Sequence, residues 1–425
     1  MPSPARAPHL ASFVDSWVES GCLPGAIVGC WHREQETFVH VSGWANVATG
    51  DRLTRDHLFR IYSMTKPITA CALMLLVEDG KVSLEDHVSK YLPAFAEARV
   101  CVGGTVDAPL TEPANKAITL LHLLTHTSGI SYGIFSSSIP DEILKARVGP
   151  AAVQEWCRPL SSAELCAHIA ATPLSFQPGT AYLYSLGIDV IGHIIELVSG
   201  QSLDVFLRQR IFEPLGMRST WFTVPPEHAH RLVSCYQLST GFGYSPSQSS
   251  ECDRLTVPPL LSGGGGLVSS LDDYARFARC LMRHGKGEDG RQVFRAESVA
   301  ELARNHLPGS AQLDRMVHDT AFSENSDKAG LGFGLGVSVI TEPALTRGGQ
   351  LSGAGEFGWG GIASTWFFVD PAKELVTVFL TQLIPSTAYP IRPQLRYLAH
   401  WVHDSYSPEE SPRRKSRLAT GSRSR

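Results

Sequence analysis

The sequence predicts an α/β (α+β) protein in which an antiparallel sheet, flanked by N- and C-terminal helices, carries an inserted all-helical lobe. Three observations lead there: strand-like runs lie near both ends of the 425-residue chain, helical periodicity dominates its middle, and an amphipathic pattern sits at each end. With 43% hydrophobic residues the chain can bury an extensive core and divide it between two lobes.

Leu10, Phe13, Val14, Trp17 and Val18 recur at helical spacing and Gly21 follows as a stop, which predicts a helix over 9–20. Residues 25–32 and 37–43 read as strands, and the polar Arg33-Glu34-Gln35-Glu36 between them reads as a hairpin turn. Leu58 to Tyr62 is extended and apolar, and Ile68 to Val77 is a helical stretch with Thr69 as its one clearly polar member. Short helices are expected at 118–127, 162–171, 187–198, 203–212 and 271–284. Ser270 and Asp273 have the spacing of a capping box, so the glycine run Gly263 to Gly266 reads as a turn before a helix rather than a phosphate cradle. Strands are expected at 333–340, 363–369 and 375–383, with Asp370-Pro371 turning the last two, and a closing helix at 391–405. The expected sheet domain therefore combines 1–80 with 331–406, and the helical lobe spans 81–330. The tail 407–425, rich in Ser, Arg and Pro, lacks an apolar pattern and is expected to be disordered and solvated.

Composition removes several function classes. A formal charge of −4 with 18% charged residues offers no basic surface for a phosphate backbone, so nucleic acid is not an expected partner. The longest strongly apolar run, Ala70 to Val77, falls well short of the roughly 20 residues of a membrane span. The N-terminus has no signal-peptide apolar region, so a soluble, cytoplasmic chain without a membrane partner is expected. Nine cysteines without a C-x-x-C spacing read as reduced core thiols, and neither a metal nor a cofactor is expected.

Chemistry concentrates at Ser63-Met64-Thr65-Lys66. Of nine lysines, only Lys66 has a serine three residues before it. Residues i and i+3 share a helix face, so the Lys66 amine can reach the Ser63 hydroxyl. Unpaired N–H groups and the helix dipole at a helix start favour negative charge at Ser63, and Pro67 is tolerated in that first turn. A helix apolar nearly all round belongs in a core, and the desolvation of Lys66 that follows favours a neutral, basic amine. Alone, the tetrad also fits a serine N-cap followed by a surface lysine. Tyr184, in Phe176-Gln177-Pro178-Gly179-Thr180-Ala181-Tyr182-Leu183-Tyr184-Ser185-Leu186-Gly187, sits at a tight turn before a helix, where a phenol projects into a cleft.

Together these stretches resemble the serine hydrolases of the penicillin-binding protein and class C β-lactamase superfamily. Leu123-Leu124-Thr125-His126-Thr127-Ser128-Gly129, Pro214-Leu215-Gly216-Met217 and Gly358-Trp359-Gly360-Gly361 follow in the family's order over nearly the whole chain. Within the superfamily the chain is most similar to family VIII carboxylesterases and to fungal polyketide acyltransferases. The resemblance implies a β-lactamase/transpeptidase-like fold, Ser63 as acylated nucleophile, and Lys66 with Tyr184 as the coupled pair that moves its proton. It also implies an oxyanion hole from the backbone N–H groups of Ser63 and Ile362.

Two departures bear on substrate. Trp359-Gly360-Gly361 stands where β-lactamases carry Lys-Thr-Gly, which removes the cation and hydroxyl that hold a substrate carboxylate. Tyr184-Ser185-Leu186 stands where the family usually has Tyr-x-Asn, which removes an amide that binds peptide-like substrates. Both changes are read as favouring neutral, apolar acyl groups. An ester or thioester also leaves with less acid assistance than an amide. The expected substrate is a small-molecule ester or thioester, with water as acceptor in a hydrolase or an alcohol in a transferase. Ser131, in Gly129-Ile130-Ser131-Tyr132-Gly133, matches the α/β-hydrolase G-x-S-x-G pattern but follows a helix instead of a strand. His122 and His126 have a metal-compatible spacing without accompanying acids, and read as hydrogen-bonded histidines at a helix end.

Overall fold

In a computed structural model the chain is described over residues 6–404, apart from 34, 135, 149–159, 240–242, 248–253 and 319–327. Period-two burial builds its main sheet. In the strand Gly25–His32, Ala26, Val28 and Cys30 join one apolar cluster and Ile27 and Trp31 the opposite one. The neighbouring strand Leu375–Thr381 is buried at every residue and divides the same way, Leu375 and Phe379 to one face and Val376, Val378 and Leu380 to the other. Covered on both faces, it reads as a continuous apolar run rather than an alternating one.

Eight antiparallel strands form this sheet in the order Leu331–Phe333, Ser338–Ile340, Phe357–Gly360, Trp366–Asp370, Leu375–Thr381, Gly25–His32, Gln35–Asn46 and Asp51–Arg52. The first and last parts of the chain meet at its centre, where Ala26 pairs with Thr381 and His32 with Leu375. The helices Ala7–Glu19 and Ile391–His403 cover one face through Leu10, Val14, Leu395 and Val402. The other face packs against the helix Leu271–Met282, where the Tyr274 ring meets Phe367 at 4.9 Å between centroids. Behind these lies the helix Thr65–Glu78, buried from Thr65 to Leu76.

Several expectations change. The run 333–340 is a hairpin, not one strand, because the chain reverses at Gly334–Val337 with Gly336 at φ +72°. The strand Phe357–Gly360 lies in a stretch too glycine-rich to show a strand pattern, yet it sits inside the sheet between Ser338–Ile340 and Trp366–Asp370. The insertion 81–330 is not all helical. It carries a hairpin of Arg99–Gly104 with Pro109–Pro113, and Tyr236–Leu238 pairs with Tyr244–Pro246 and Leu383–Ile384. These strands are short or end in glycine and proline, so they leave little period-two signal. Ser270 caps its helix by accepting from the Asp273 N–H at 3.3 Å. The reciprocal half of the capping box is missing, because the Asp273 carboxylate accepts instead from Ser219 N and Thr220 Oγ1.

The tail 407–425, Cys157 and Cys252 lie outside the described residues. The other seven cysteines are free thiols, and burial pushes those of Cys30, Cys166 and Cys280 up to about 12. Among the described residues no single helix is long and apolar enough to cross a membrane.

Buried imidazoles tie stability to pH. Burial, reinforced by His32 with its ring 4.8 Å away, lowers His403 from 6.5 to about 4. The folded protein thus resists a proton that the unfolded chain accepts, so this contribution is complete above pH 6.5 and is lost as pH falls towards 4. Its full extent is about 3 kcal/mol. Thermal unfolding followed by circular dichroism should show a falling Tm over that interval, and His403→Gln should flatten the fall.

Candidate active site

Ser63 occupies a short 3-10 turn, Tyr62–Met64, at the entry to the helix Thr65–Glu78. Tyr62 just before it adopts φ +45°, a conformation that L-residues hold only when the surroundings enforce it. The enforcement is visible. Ile61 N donates to Leu267 O, Leu267 N to Thr65 Oγ1, and Tyr274 Oη to Met64 O at 2.8 Å. Ser63 retains 9% exposure and Lys66 none. The Lys66 Nζ lies 3.3 Å from Ser63 Oγ and donates to Gly264 O at 2.6 Å. Among the described residues no carboxylate pairs with it.

The glycine run read as a plain turn therefore supplies the main partner of Lys66. Gly263 O accepts from Thr69 Oγ1 and Gly264 O from Lys66. Glycine is required here because a Cβ on Gly264 would press into the Asp189 carboxylate and one on Gly263 would stand 2.9 Å from Ile188 O. Asp189 secures the loop by accepting from Ser262 Oγ at 2.5 Å and Gly264 N at 3.1 Å. Nothing in the sequence marks Asp189, since its role exists only where the helix Gly187–Ser199 crosses this loop.

Tyr184 approaches from the segment before that same helix and donates to Ser63 Oγ at 2.8 Å. Its backbone is held from His126: Leu183 N donates to His126 O, and Ser185 N to His126 Nδ1 at 3.2 Å. An Nδ1 that accepts places the imidazole proton on Nε2, which is buried without a partner. Burial and the nearby Lys66 hold His126 well below 6.5, so it stays neutral. Aromatic rings fix the phenol: Tyr132 stacks on it at 5.5 Å, and His126 and Trp359 stand 4.7 and 5.6 Å away. Tyr132 and His126 were not read as site residues. The stretch Leu123 to Gly129 was the available signal for His126, and Tyr132 lies just beyond it in Gly129-Ile130-Ser131-Tyr132-Gly133.

Ser63, Tyr184, Trp359, Gly360, Gly361 and Ile362 line one cavity of about 520 Å³. Gly361 lies against the serine turn, with its would-be Cβ 2.5 Å from Ile61 O, and its N–H donates to Thr365 O. The structure thus brings together every site residue named from the sequence. It does not bring in Ser131, whose hydroxyl is buried away from this group, or His122, whose Nδ1 accepts from Thr119 N in a helix cap. The lining is not purely apolar. Lys328, Arg347, Arg392 and Arg396 all line the cavity, three of them delivered by the segment 347–396, which has no motif to announce it.

Asp189→Ala should leave Ser262 Oγ and Gly264 N without their acceptor and destabilise the protein by about 2–4 kcal/mol, whereas Asp189→Asn, which keeps one acceptor, should cost less. Urea unfolding of the two variants checks this order.

Comparisons with known proteins give the family and the fold. A Mycobacterium tuberculosis protein of uncharacterised activity is 34% identical over 384 residues, covering 87% of this chain and 88% of its own. A lovastatin esterase of Penicillium rubens is 30% identical over 388 residues, covering 86% and 90%. Simvastatin synthase LovD from Aspergillus terreus superposes with a TM-score of 0.79 at 21% identity, over 96% of this chain and 100% of its own, which shows a shared fold. Relatives are named both as esterases and as acyltransferases. The Beta-lactamase family profile matches residues 10–399, and the chain belongs to that family.

Proposed function

We propose that this chain is a serine hydrolase of small-molecule carboxylic esters that works through an acyl-enzyme on Ser63. The observation that carries the reading is the convergence on Ser63 Oγ of Lys66 Nζ at 3.3 Å and Tyr184 Oη at 2.8 Å, inside a cavity of about 520 Å³. A hydroxyl bracketed by an amine and a phenol can pass its proton to that pair as it attacks a carbonyl carbon. The ester C–O bond then breaks, and the proton returns from the pair to the departing alkoxide. Water repeats the sequence on the acyl-enzyme and restores Ser63. We assign oxyanion stabilisation to the backbone N–H groups of Ser63 and Ile362, which border the same cavity. The esterases among the relatives support ester substrates. Acyl transfer to an alcohol is the second reading, favoured by the relatives named as acyltransferases, and it differs only in which hydroxyl resolves the acyl-enzyme.

Purified protein should hydrolyse p-nitrophenyl acetate and butyrate, and quenched samples should gain one acyl mass on the peptide containing Ser63. Ser63→Ala should abolish both signals; undiminished turnover in that variant would exclude Ser63 as nucleophile. Lys66→Ala and Tyr184→Phe should each lower kcat/KM by about 10³-fold, since each removes a proton carrier from the same step. Adding candidate alcohols to the acylated protein and measuring ester against acid product separates transfer from hydrolysis.

A further inference from the structure

The cavity's cations differ in how far they are already committed. Arg396 pairs with the buried Glu356, its Nε 3.0 Å from the carboxylate, and its guanidinium lies 5.0 Å over the Trp366 ring. Burial pushes the Glu356 carboxyl up, but Arg396 and His400 outweigh it and leave it lowered, so Arg396 already has a carboxylate as counter-charge even though its Nε makes no aligned hydrogen bond. Arg347 is exposed to solvent. Arg392 stands apart. Its Nη2 donates to two neutral acceptors, Gly361 O at 2.5 Å and Thr365 O at 3.0 Å. Its Nε–H is buried without an acceptor, and no carboxylate of the described residues pairs with it.

The setting of this guanidinium is specific. It lies against the strand Phe357–Gly360, where a Cβ on Gly360 would stand 2.6 Å from its Cζ. The strand position that lacks a side chain is thus the space that Arg392 fills from the helix Ile391–His403. The guanidinium also grips the carbonyl of Gly361, the residue before Ile362, so it sits beside the reacting centre rather than at a distant rim. Burial lowers it to about 10, with Tyr184 opposing and Arg396 adding to the shift, which reflects a cation short of counter-charge. A buried guanidinium with N–H groups unused is costly alone and favourable once a carboxylate reaches it through charge-assisted hydrogen bonds. Among the described residues, no acidic side chain lines the cavity to compete for it.

We propose that Arg392 is the anion-binding residue of this cavity and that the ester it accepts is itself an anion, bearing a free carboxylate besides the reacting ester group. The inference rests on the esterase reading for the identity of the reacting group, and on the cavity alone for the charge. It replaces the neutral, apolar substrate expected from the missing Lys-Thr-Gly: the strand's cation is gone, and a cation from the C-terminal helix occupies the adjacent space.

Matched substrate pairs test it. Mono-p-nitrophenyl glutarate against p-nitrophenyl valerate places the charge on the acyl side, and 4-acetoxybenzoate against its methyl ester places it on the leaving group. The wild-type protein should favour the anionic member of at least one pair by about 10-fold or more in kcat/KM, and added salt should shrink the margin. Arg392→Met should reduce that ratio at least 10-fold, and Arg392→Lys should restore part of it. Independently of turnover, calorimetry on Ser63→Ala should show glutarate binding that Arg392→Lys weakens and Arg392→Met removes. Absence of preference in both pairs together with absence of glutarate binding overturns the proposal, as does a preference that survives Arg392→Met. Glutarate binding that depends on Arg392, in a protein that turns over no ester, would sustain the anion site while refuting the esterase reading. If Arg392→Met fails to fold, the wild-type ratios and the lysine variant still decide the question.

Discussion

The burial of Lys66 is the constraint on which the rest of this structure depends. A long amine with no exposed surface must find polar partners inside the protein, and it finds two, Gly264 O and Ser63 Oγ. Both are uncharged. A carbonyl and a hydroxyl give the amine hydrogen-bond partners without an ion pair. Lys66 and Thr69, two buried polar groups of the surrounding helix, are both satisfied by the glycine loop from elsewhere in the chain.

That arrangement demands that backbones approach more closely than side chains normally permit. Gly264 meets the Asp189 carboxylate, Gly187 lies 2.9 Å by its would-be Cβ from Leu123 O, and Gly361 lies against Ile61 O. These contacts join the serine turn, the tyrosine segment, the glycine loop and the end of the strand Phe357–Gly360 around one hydroxyl. Each glycine is a place where a methyl group would push one of the participating segments away from Ser63. The aromatic stack around Tyr184 then limits the phenol in the direction that hydrogen bonds leave open, because Tyr132 lies nearly parallel to it at 14°.

Charge is distributed with comparable economy. His126, deep beside Tyr184, stays neutral. At the opposite end of the strands Phe357–Gly360 and Trp366–Asp370 from Gly361, Glu356, His400 and Asp370 lie close enough to resemble a metal site. His400 Nε2 lies 2.7 Å from Glu356 and its Nδ1 3.9 Å from Asp370, and Arg396 stands 3.0 Å from the Glu356 carboxylate. Glu356 thus holds two residues of the C-terminal helix, which presents Arg392 to the cavity.

What the sequence determined by itself is the local chemistry and the pattern of burial. Ser63 and Lys66 are three residues apart on one helical turn, so their proximity needs no tertiary information, and the apolar run after them announces a buried helix. The strands at both ends of the chain were legible as short apolar runs bounded by turns, because a strand covered on both faces is buried at nearly every residue. Tyr184 was legible through its place in an ordered set of motifs, although 121 residues separate it from Ser63. Tertiary structure alone decided the partners that have no local signature. Gly264 reaches Lys66 across 198 residues through a carbonyl that every residue possesses, so nothing in its side chain could reveal the contact. Asp189 and Arg392 are ordinary helical residues until the helices bearing them are docked. The strand Phe357–Gly360 was obscured because the glycines that let the serine turn and Arg392 pack against it are the residues that erase a strand's apolar alternation. The charge of the cavity was likewise beyond the sequence, since it depends on which side of the C-terminal helix faces the sheet edge.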